Sequence, residues 1–277
     1  MDLDDPALRK AATGKLAYAF SLAKALRSDM DAWWATGPVS LVPELRADGK
    51  TVDIVMRTTP MPPTEDWYNR MGDVLQNFRN ALNRLTNSVG YEFTKPAKPG
   101  DGNFPIHSAE IGWQNWLRQH PEFSVDVADR FRAFEPFVSA RPFLLALRDS
   151  NNLEKHDVGF TVSVMLTDFK MGGTFKVEGL WNNDHLGDQV NLIAGETLDI
   201  LSERQVLGTI ETPTRVLEVG PGDTESGFAF TPMMRFEAEE IPLFAAIDLI
   251  GREVTWAISY ITGLLTDAVN PPTHFDL

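Results

Sequence analysis

The hydrophobic pattern of this chain changes its period once, near residue 157, and this change constrains the fold more than any other feature. Before it, apolar residues recur every three or four positions, as on helices that pack against other helices. After it, short β-branched runs alternate with glycine and asparagine turns, which is typical of antiparallel strands. The pattern predicts an α+β protein: an N-terminal helical bundle with a small β-hairpin, then an antiparallel β-sheet or small sandwich and a C-terminal helix.

Capping and turn residues place the elements of the first half. Asp5-Pro6 begins a long helix, because an acid caps it and proline fits its first position. The helix ends at Thr36-Gly37-Pro38. Asp48-Gly49 joins two strand-like runs and predicts a hairpin over residues 39–58. A second long helix is predicted from Thr64 to about Val89, and shorter helices over 108–119, 124–134 and 142–155.

The second half is predicted to contain short strands and one last helix. The strands are 160–166, 173–179, 197–201, 205–210, 215–219 and 228–230, and the helix is 243–267. The domain organisation that follows is a helical domain at 1–157, which includes the hairpin, and a β layer with the C-terminal helix at 158–277. The alternative, in which both parts are layers of one continuous domain, stays open because no long linker separates them.

Composition favours a cytoplasmic protein. The chain has 277 residues and no cysteine, so it can form neither a disulfide framework nor a thiolate zinc site. Its first residues, Met1-Asp2-Leu3-Asp4-Asp5, do not have the basic start of a signal peptide. No apolar run reaches the length of a membrane-spanning helix, which predicts no membrane association.

The negative charge is concentrated in the second half of the chain. Residues 1–157 contain 19 basic and 21 acidic side chains, and the remaining residues contain 6 and 18, for a total of −14. The acidic half should repel a phosphate backbone, whereas the first half could present a local basic site. General DNA binding is therefore not expected, but RNA or a nucleotide remains a possible partner.

The helix predicted around residues 71–89 has an unusual polar side. Its apolar residues fall on about a third of the circumference, which must be the core face. Arg79 and Arg84 lie about 140° apart by the same geometry, and no acidic residue occurs between Val74 and Val89. The asparagines of the polar side are Asn77, Asn80, Asn83 and Asn87.

Four asparagines lower helix propensity, by about 0.5 kcal/mol each relative to alanine. An ordinary solvated face would use glutamate and lysine instead. The polar side is therefore interpreted as a ligand or partner face formed by Asn77, Arg79, Asn80, Asn83, Arg84 and Asn87. The alternatives are a helix–helix interface and a solvated face of incidental composition.

Other chemistry-bearing residues are fewer. Lys155 and His156 follow a predicted helix and either cap its carbonyls or contribute to a site, Lys155 as part of the ligand face and His156 as a general acid or base. Asp184, His185 and Asp188 are interpreted as a surface turn, so no metal site is predicted. His107 is interpreted as a packing residue. No cofactor is predicted, because no nucleotide-binding or metal-binding motif occurs.

The order of these motifs resembles a family of uncharacterised bacterial proteins. The matching stretches here are Gly72 to Leu85, Phe104-Pro105-Ile106 and Glu154-Lys155-His156-Asp157. The helix of that family carries an Arg-x4-His spacing similar to that of HEPN ribonucleases and toxins, which often dimerise. The resemblance implies that Arg79 engages a phosphate. Arg84 occupies the histidine position, and an arginine cannot accept a proton.

Two functional hypotheses follow from these residues, and a third is less specific. The leading one is a non-catalytic binding protein, dimeric, whose arginine and asparagine face holds a partner or an anionic ligand. The alternative is a HEPN-type enzyme that cleaves RNA or handles nucleotides in a defence or toxin system, with Arg79 and His156 as catalytic residues. The third hypothesis is a phage-encoded or structural component.

Overall fold

The computed structural model describes residues 6–91, 102–121, 123–139, 142–150, 160–170, 175–177, 197–199, 202–211, 215–219, 225–236 and 239–264. The fold is α+β, as predicted. The helices are α1 (Pro6–Trp34), α2 (Thr64–Tyr91), α3 (Glu110–Gln119), α4 (Val125–Arg132), α5 (Pro142–Ser150) and α6 (Leu243–Ile261). The strands are β1 (Val39–Leu45), β2 (Thr51–Thr58), β3 (Phe160–Lys170), β4 (Phe175–Val177), β5 (Thr197–Asp199), β6 (Arg204–Glu211), β7 (Val216–Val219), β8 (Glu225–Phe236) and β9 (Glu239–Pro242).

The described strands form three sheets rather than one. Their orders are β1-β2-β6, β5-β3-β8-β9 and β4-β7. The pairs β1–β2, β2–β6, β3–β5 and β4–β7 are antiparallel. Strand β9 was not predicted. Strand β8 extends well beyond the predicted residues 228–230, because proline, here Pro232, usually interrupts a strand and its presence argued against a longer one.

The hairpin predicted over residues 39–58 is confirmed, but it is not an isolated addition to the helical half. Its turn contains Gly49 at φ 67°, a conformation that glycine adopts without strain. Strand β2 pairs with β1 on one side and with β6 on the other, so it is the central strand of its sheet. Seven of its eight residues are buried, as expected for a strand covered on both faces.

The chain divides into two compact units, each assembled from separate segments. The first contains Met1–Arg27, Glu65–Gly159 and Met234–Leu277, and the second contains Ser28–Thr64 and Phe160–Met233. The predicted boundary near residue 157 lies outside the described residues, and that division stays a prediction. Since β2 and β6 belong to the same unit, the hairpin groups with residues from the second half of the chain.

The core of the first unit is centred on α2. Its predicted core face is confirmed, because every member is at most 1% exposed; the members are Met71, Val74, Leu75, Phe78, Leu82, Leu85 and Val89. Phe78 meets Phe20 of α1 edge to face, with 5.3 Å between ring centroids. Gly251 of α6 lies against the same two rings, where a side chain would not fit.

The sheet of the second unit is reinforced by ion pairs across its strands. Glu44 accepts hydrogen bonds from Arg57 at 2.6 Å and from Arg204 at 2.9 Å, which links β1, β2 and β6. Asp53 on β2 binds Arg46 at 2.8 Å and accepts a hydrogen bond from Thr209 at 3.0 Å. These bonds lower the pKa of both carboxyl groups, with the arginine partners as the largest cause.

Helices α4 and α6 end before the predicted residues, and the predicted end of α5 lies outside the described residues. Helix α4 stops at Arg132, before the predicted Phe134, because the Glu135 amide turns back to the Arg132 carbonyl at 3.0 Å. Helix α6 stops at Ile261 instead of the predicted residue 267, because the chain turns at Thr262 and at Gly263, which has a φ of 72°. The predicted end of α5 falls among residues that the structure does not describe. Among the described helices, none has the length and apolar character needed to cross a bilayer.

The contact around Gly251 predicts a clear contrast between two helical glycines. Gly251→Ala would place a Cβ 2.6 Å from a ring atom of Phe20, and such overpacking typically costs about 1–3 kcal/mol. Gly14→Ala in α1 meets nothing within 4 Å and should gain helix propensity, up to about 1 kcal/mol. Thermal melting should therefore give a lower Tm for Gly251→Ala than for Gly14→Ala. Equal Tm values would contradict this packing.

The ion pairs of the sheet predict a loss of stability in acid. A carboxyl group whose pKa is lowered on folding contributes stability above its unfolded pKa, and that stability disappears as the pH falls through the folded pKa. The ordinary pKa of Asp53 is 3.8. We expect the Tm to fall as the pH drops below about 4, and Asp53→Asn to show a weaker fall than the wild type in parallel melts. An identical pH dependence would exclude this role for Asp53.

Candidate functional site: the polar side of helix α2

Arg79 is buried although it was predicted to lie on an open face. It is 9% exposed, and its Nη2 donates a hydrogen bond to the Phe104 carbonyl at 2.8 Å. Its Nη1 is also buried and has no hydrogen-bond partner in the structure. Burial lowers the pKa of Arg79 to about 10, Arg148 lowers it further, and Glu135 opposes both. The side chain still carries its charge at neutral pH.

Asn83, one turn after Arg79, binds the other backbone group of the same residue. Its Oδ1 accepts a hydrogen bond from the Phe104 amide at 2.9 Å. Arg79 and Asn83 therefore satisfy both the carbonyl and the amide of Phe104, in a segment that has no strand or helix of its own. A buried backbone group without a partner costs about 1–3 kcal/mol. This requirement explains an asparagine at position 83, where alanine would give a better helix.

The segment held in this way, residues 103–107, is anchored at further points. The Phe104 side chain is 1% exposed and its ring packs 5.4 Å from that of Phe131 in α4. The indole of Trp116 donates a hydrogen bond to the Asn103 carbonyl at 3.3 Å. The Phe-Pro-Ile stretch of the resemblance is thus a fixed strap across the polar side of α2.

His107 ends this strap in a contact with a buried acid. Glu135 is fully buried, and its Oε2 accepts a hydrogen bond from the His107 amide at 2.6 Å. Its Oε1 lies 2.9 Å from Nδ1 of the same histidine. About a quarter of the His107 side chain is exposed to solvent. His107 therefore packs against α3, as interpreted, and in addition contacts Glu135, which the sequence did not indicate.

The charges near Arg79 have opposite effects on it. After burial, which is the largest cause, the charge of Arg148 lowers the pKa of Arg79 and the Glu135 carboxylate raises it. Arg148 also binds Asp149 at 2.7 Å, in a pair that is partly exposed. Arg79, His107 and Glu135 form what we call the polar cluster. A single carboxylate here offsets the desolvation of the buried guanidinium.

The other asparagines of this side are half-buried, and only Arg84 is exposed. Asn80 accepts a hydrogen bond from Gln76 at 3.0 Å, and Asn77 donates to the Asp73 carbonyl at 2.8 Å. Arg84 is exposed and makes no ion pair with any described residue. Asn87 lies against Gly102, where an added Cβ would collide with its side chain. We call Asn77, Asn80, Arg84 and Asn87 the outer strip.

The structure therefore separates the predicted face into two parts. Arg79 and Asn83 bind Phe104 of the strap, whereas the outer strip makes no hydrogen bond to the strap among the described residues and includes the exposed Arg84. A ligand role for any of these residues stays a prediction. Lys155, His156, Asp184, His185 and Asp188 lie outside the described residues. In the described part of the chain, no three His, Asp or Glu side chains group as metal ligands.

Sequence reasoning missed two members of this region, Glu135 and Arg148. A signal for Glu135 existed, because it stands between aromatic residues and proline in Phe134-Glu135-Pro136-Phe137, and an acid among apolar neighbours tends to be buried with a partner. A signal for Arg79 existed too: helix geometry places it about 80° from Met71, at the edge of the core face.

Comparison with known proteins finds no match: no protein-family model, no curated protein sequence and no solved structure is similar to this chain. The resemblance drawn from short motifs accordingly stays a prediction. The geometry of α2 and its strap is what supports any functional proposal.

The two kinds of asparagine on α2 predict different mutational effects. Asn83→Ala leaves the Phe104 amide without its acceptor and should destabilise the protein by about 1–3 kcal/mol. Asn80→Ala removes only an exposed side-chain contact, and the gain in helix propensity of about 0.5 kcal/mol should balance it. Chemical denaturation of both variants measures the difference. Similar free energies of unfolding would show that Asn83 does not hold the strap.

Proposed function

We propose that the protein is a non-catalytic binding protein, and a dimer, in which the outer strip of α2 holds a partner or an anionic ligand. The observation that carries this proposal is the separation of the polar side: Arg79 and Asn83 are occupied by the strap, while Arg84 stays exposed. A guanidinium group is a planar donor suited to phosphate and carboxylate groups. Asparagine amides beside it both donate and accept hydrogen bonds.

The outer strip also lacks a group for proton chemistry. Arginine remains protonated and amides do not titrate, so this strip can bind but cannot act as an acid or base. The segment 74–89 contains no acid, although the chain carries a net charge of −14. An anion that approaches Arg84 therefore meets no carboxylate from the same stretch of helix. These features support binding over catalysis at the strip.

A symmetric dimer through the outer strip would bring two copies of Arg84 near one axis. Two like charges repel each other at such an interface unless an anion lies between them. The proposal thus connects its two parts: an anionic ligand would favour the dimer, and the dimer would give the ligand two guanidinium groups.

Substitution of Arg84 tests the proposal. Arg84→Ala should weaken binding of labelled single-stranded RNA, used as the anionic probe, by roughly fivefold, because an exposed ionic contact contributes about 1 kcal/mol or less. Fluorescence anisotropy at two salt concentrations measures the affinity, and sedimentation with and without the RNA measures the dimer. The Tm should not change, since Arg84 is exposed.

Arg252→Ala, which removes an exposed arginine from α6, is the matched control. The proposal fails if Arg84→Ala and Arg252→Ala bind and sediment like the wild type. Cleavage of the RNA probe, rather than retention of it, would instead support the HEPN-type enzyme.

A further inference from the structure

His107 and Glu135 have a geometry that the proposed binding function does not use. Glu135 holds Nδ1 of the imidazole at 2.9 Å and the backbone amide of the same residue at 2.6 Å. When Nδ1 carries the proton that points at a carboxylate, Nε2 of a neutral imidazole carries the free electron pair. That nitrogen is the one directed away from the buried acid.

The ring is fixed from a second direction as well. A Cβ added to Gly112 of α3 would lie 2.7 Å from Cδ2 of His107, so the imidazole edge packs directly on the helix backbone. Glycine at position 112 is what permits this approach. The carboxylate and the helix together hold the imidazole in one orientation.

Arg132, three residues before Glu135, carries an exposed guanidinium group. Arg132 binds Glu110 at 3.0 Å, and Glu110 begins α3 three residues after His107. The carbonyl of Arg132 accepts a hydrogen bond from the Glu135 amide at 3.0 Å. Because exposed ion pairs are weak, Arg132 can exchange Glu110 for an incoming phosphate group.

We propose that Nε2 of His107 is a nucleophile that accepts a phosphoryl group from a small, reactive phosphoryl donor. Its electron pair attacks phosphorus, the bond from phosphorus to the leaving group breaks, and the leaving group departs with that electron pair. With phosphoramidate as donor the leaving group is ammonia. The phosphorylated ring becomes positively charged, and the adjacent Glu135 carboxylate stabilises that charge. Glu135 is a positioning residue in this step.

Phosphoramidate tests this assignment on the full-length protein. Intact mass measures the added phosphoryl group, and peptide mapping under alkaline conditions, in which phosphohistidine survives, locates it. We expect His107 to react faster than any other histidine among the 5 in the chain. His107→Gln should abolish this fast reaction.

Two further variants separate an activated histidine from a structural one. Glu135→Gln should slow labelling about 10- to 100-fold, by analogy with the loss when the carboxylate that orients a metal-binding histidine is removed. Because Glu135 is fully buried, this variant could unfold. Gly112→Ala keeps every ionisable group and displaces only the ring, so it should also slow labelling while circular dichroism stays that of the wild type. Gly14→Ala is its matched control and should label normally.

The proposal is overturned if His107 reacts no faster than the other histidines. It is also overturned if folded Gly112→Ala labels at the wild-type rate, because the held orientation of the ring would then contribute nothing. Neither result bears on RNA binding by Arg84, so the two proposals fail independently.

Discussion

The first unit depends on how α2 satisfies the backbone of Phe104. Residues 103–107 cross the helix without forming a strand or helix, so their amide and carbonyl groups need partners from side chains. Arg79 and Asn83 supply one donor and one acceptor to the same residue. This arrangement fixes the position of His107 three residues later, and therefore the contact with Glu135. A polar helix face, rather than a sheet, organises this loop.

Arg79 loses hydration when it is buried, and this desolvation opposes folding. Desolvation lowers its pKa to about 10, and one of its nitrogens has no hydrogen-bond partner. An apolar side chain at this position would avoid that desolvation but would leave the Phe104 carbonyl and the Glu135 charge without compensation. The cluster thus supplies hydrogen-bond partners and opposite charges to a loop that lies against the core. Removal of one member would leave another without one of its partners.

Periodicity predicted the core face of α2 residue by residue, because burial of apolar side chains follows helix geometry. The Asp48-Gly49 turn between two strand-like runs predicted the hairpin. Periodicity did not predict the strap, since a helical wheel shows the direction of a side chain and not which distant segment covers it. The same limit applies to β2 and β6, whose pairing joins residues far apart in sequence. Glu135 was missed because one buried acid leaves no periodic signal.

The pairing of β2 with both β1 and β6 has a consequence for synthesis of the chain. Residues 51–58 leave the ribosome long before residues 204–211, which form their second neighbour. Until then the β2 edge exposes unpaired amide and carbonyl groups on a strand in which four of the eight residues are apolar. Other extended chains can join such an edge. The nascent protein must therefore protect one strand edge, by chaperones or by speed, for most of its elongation.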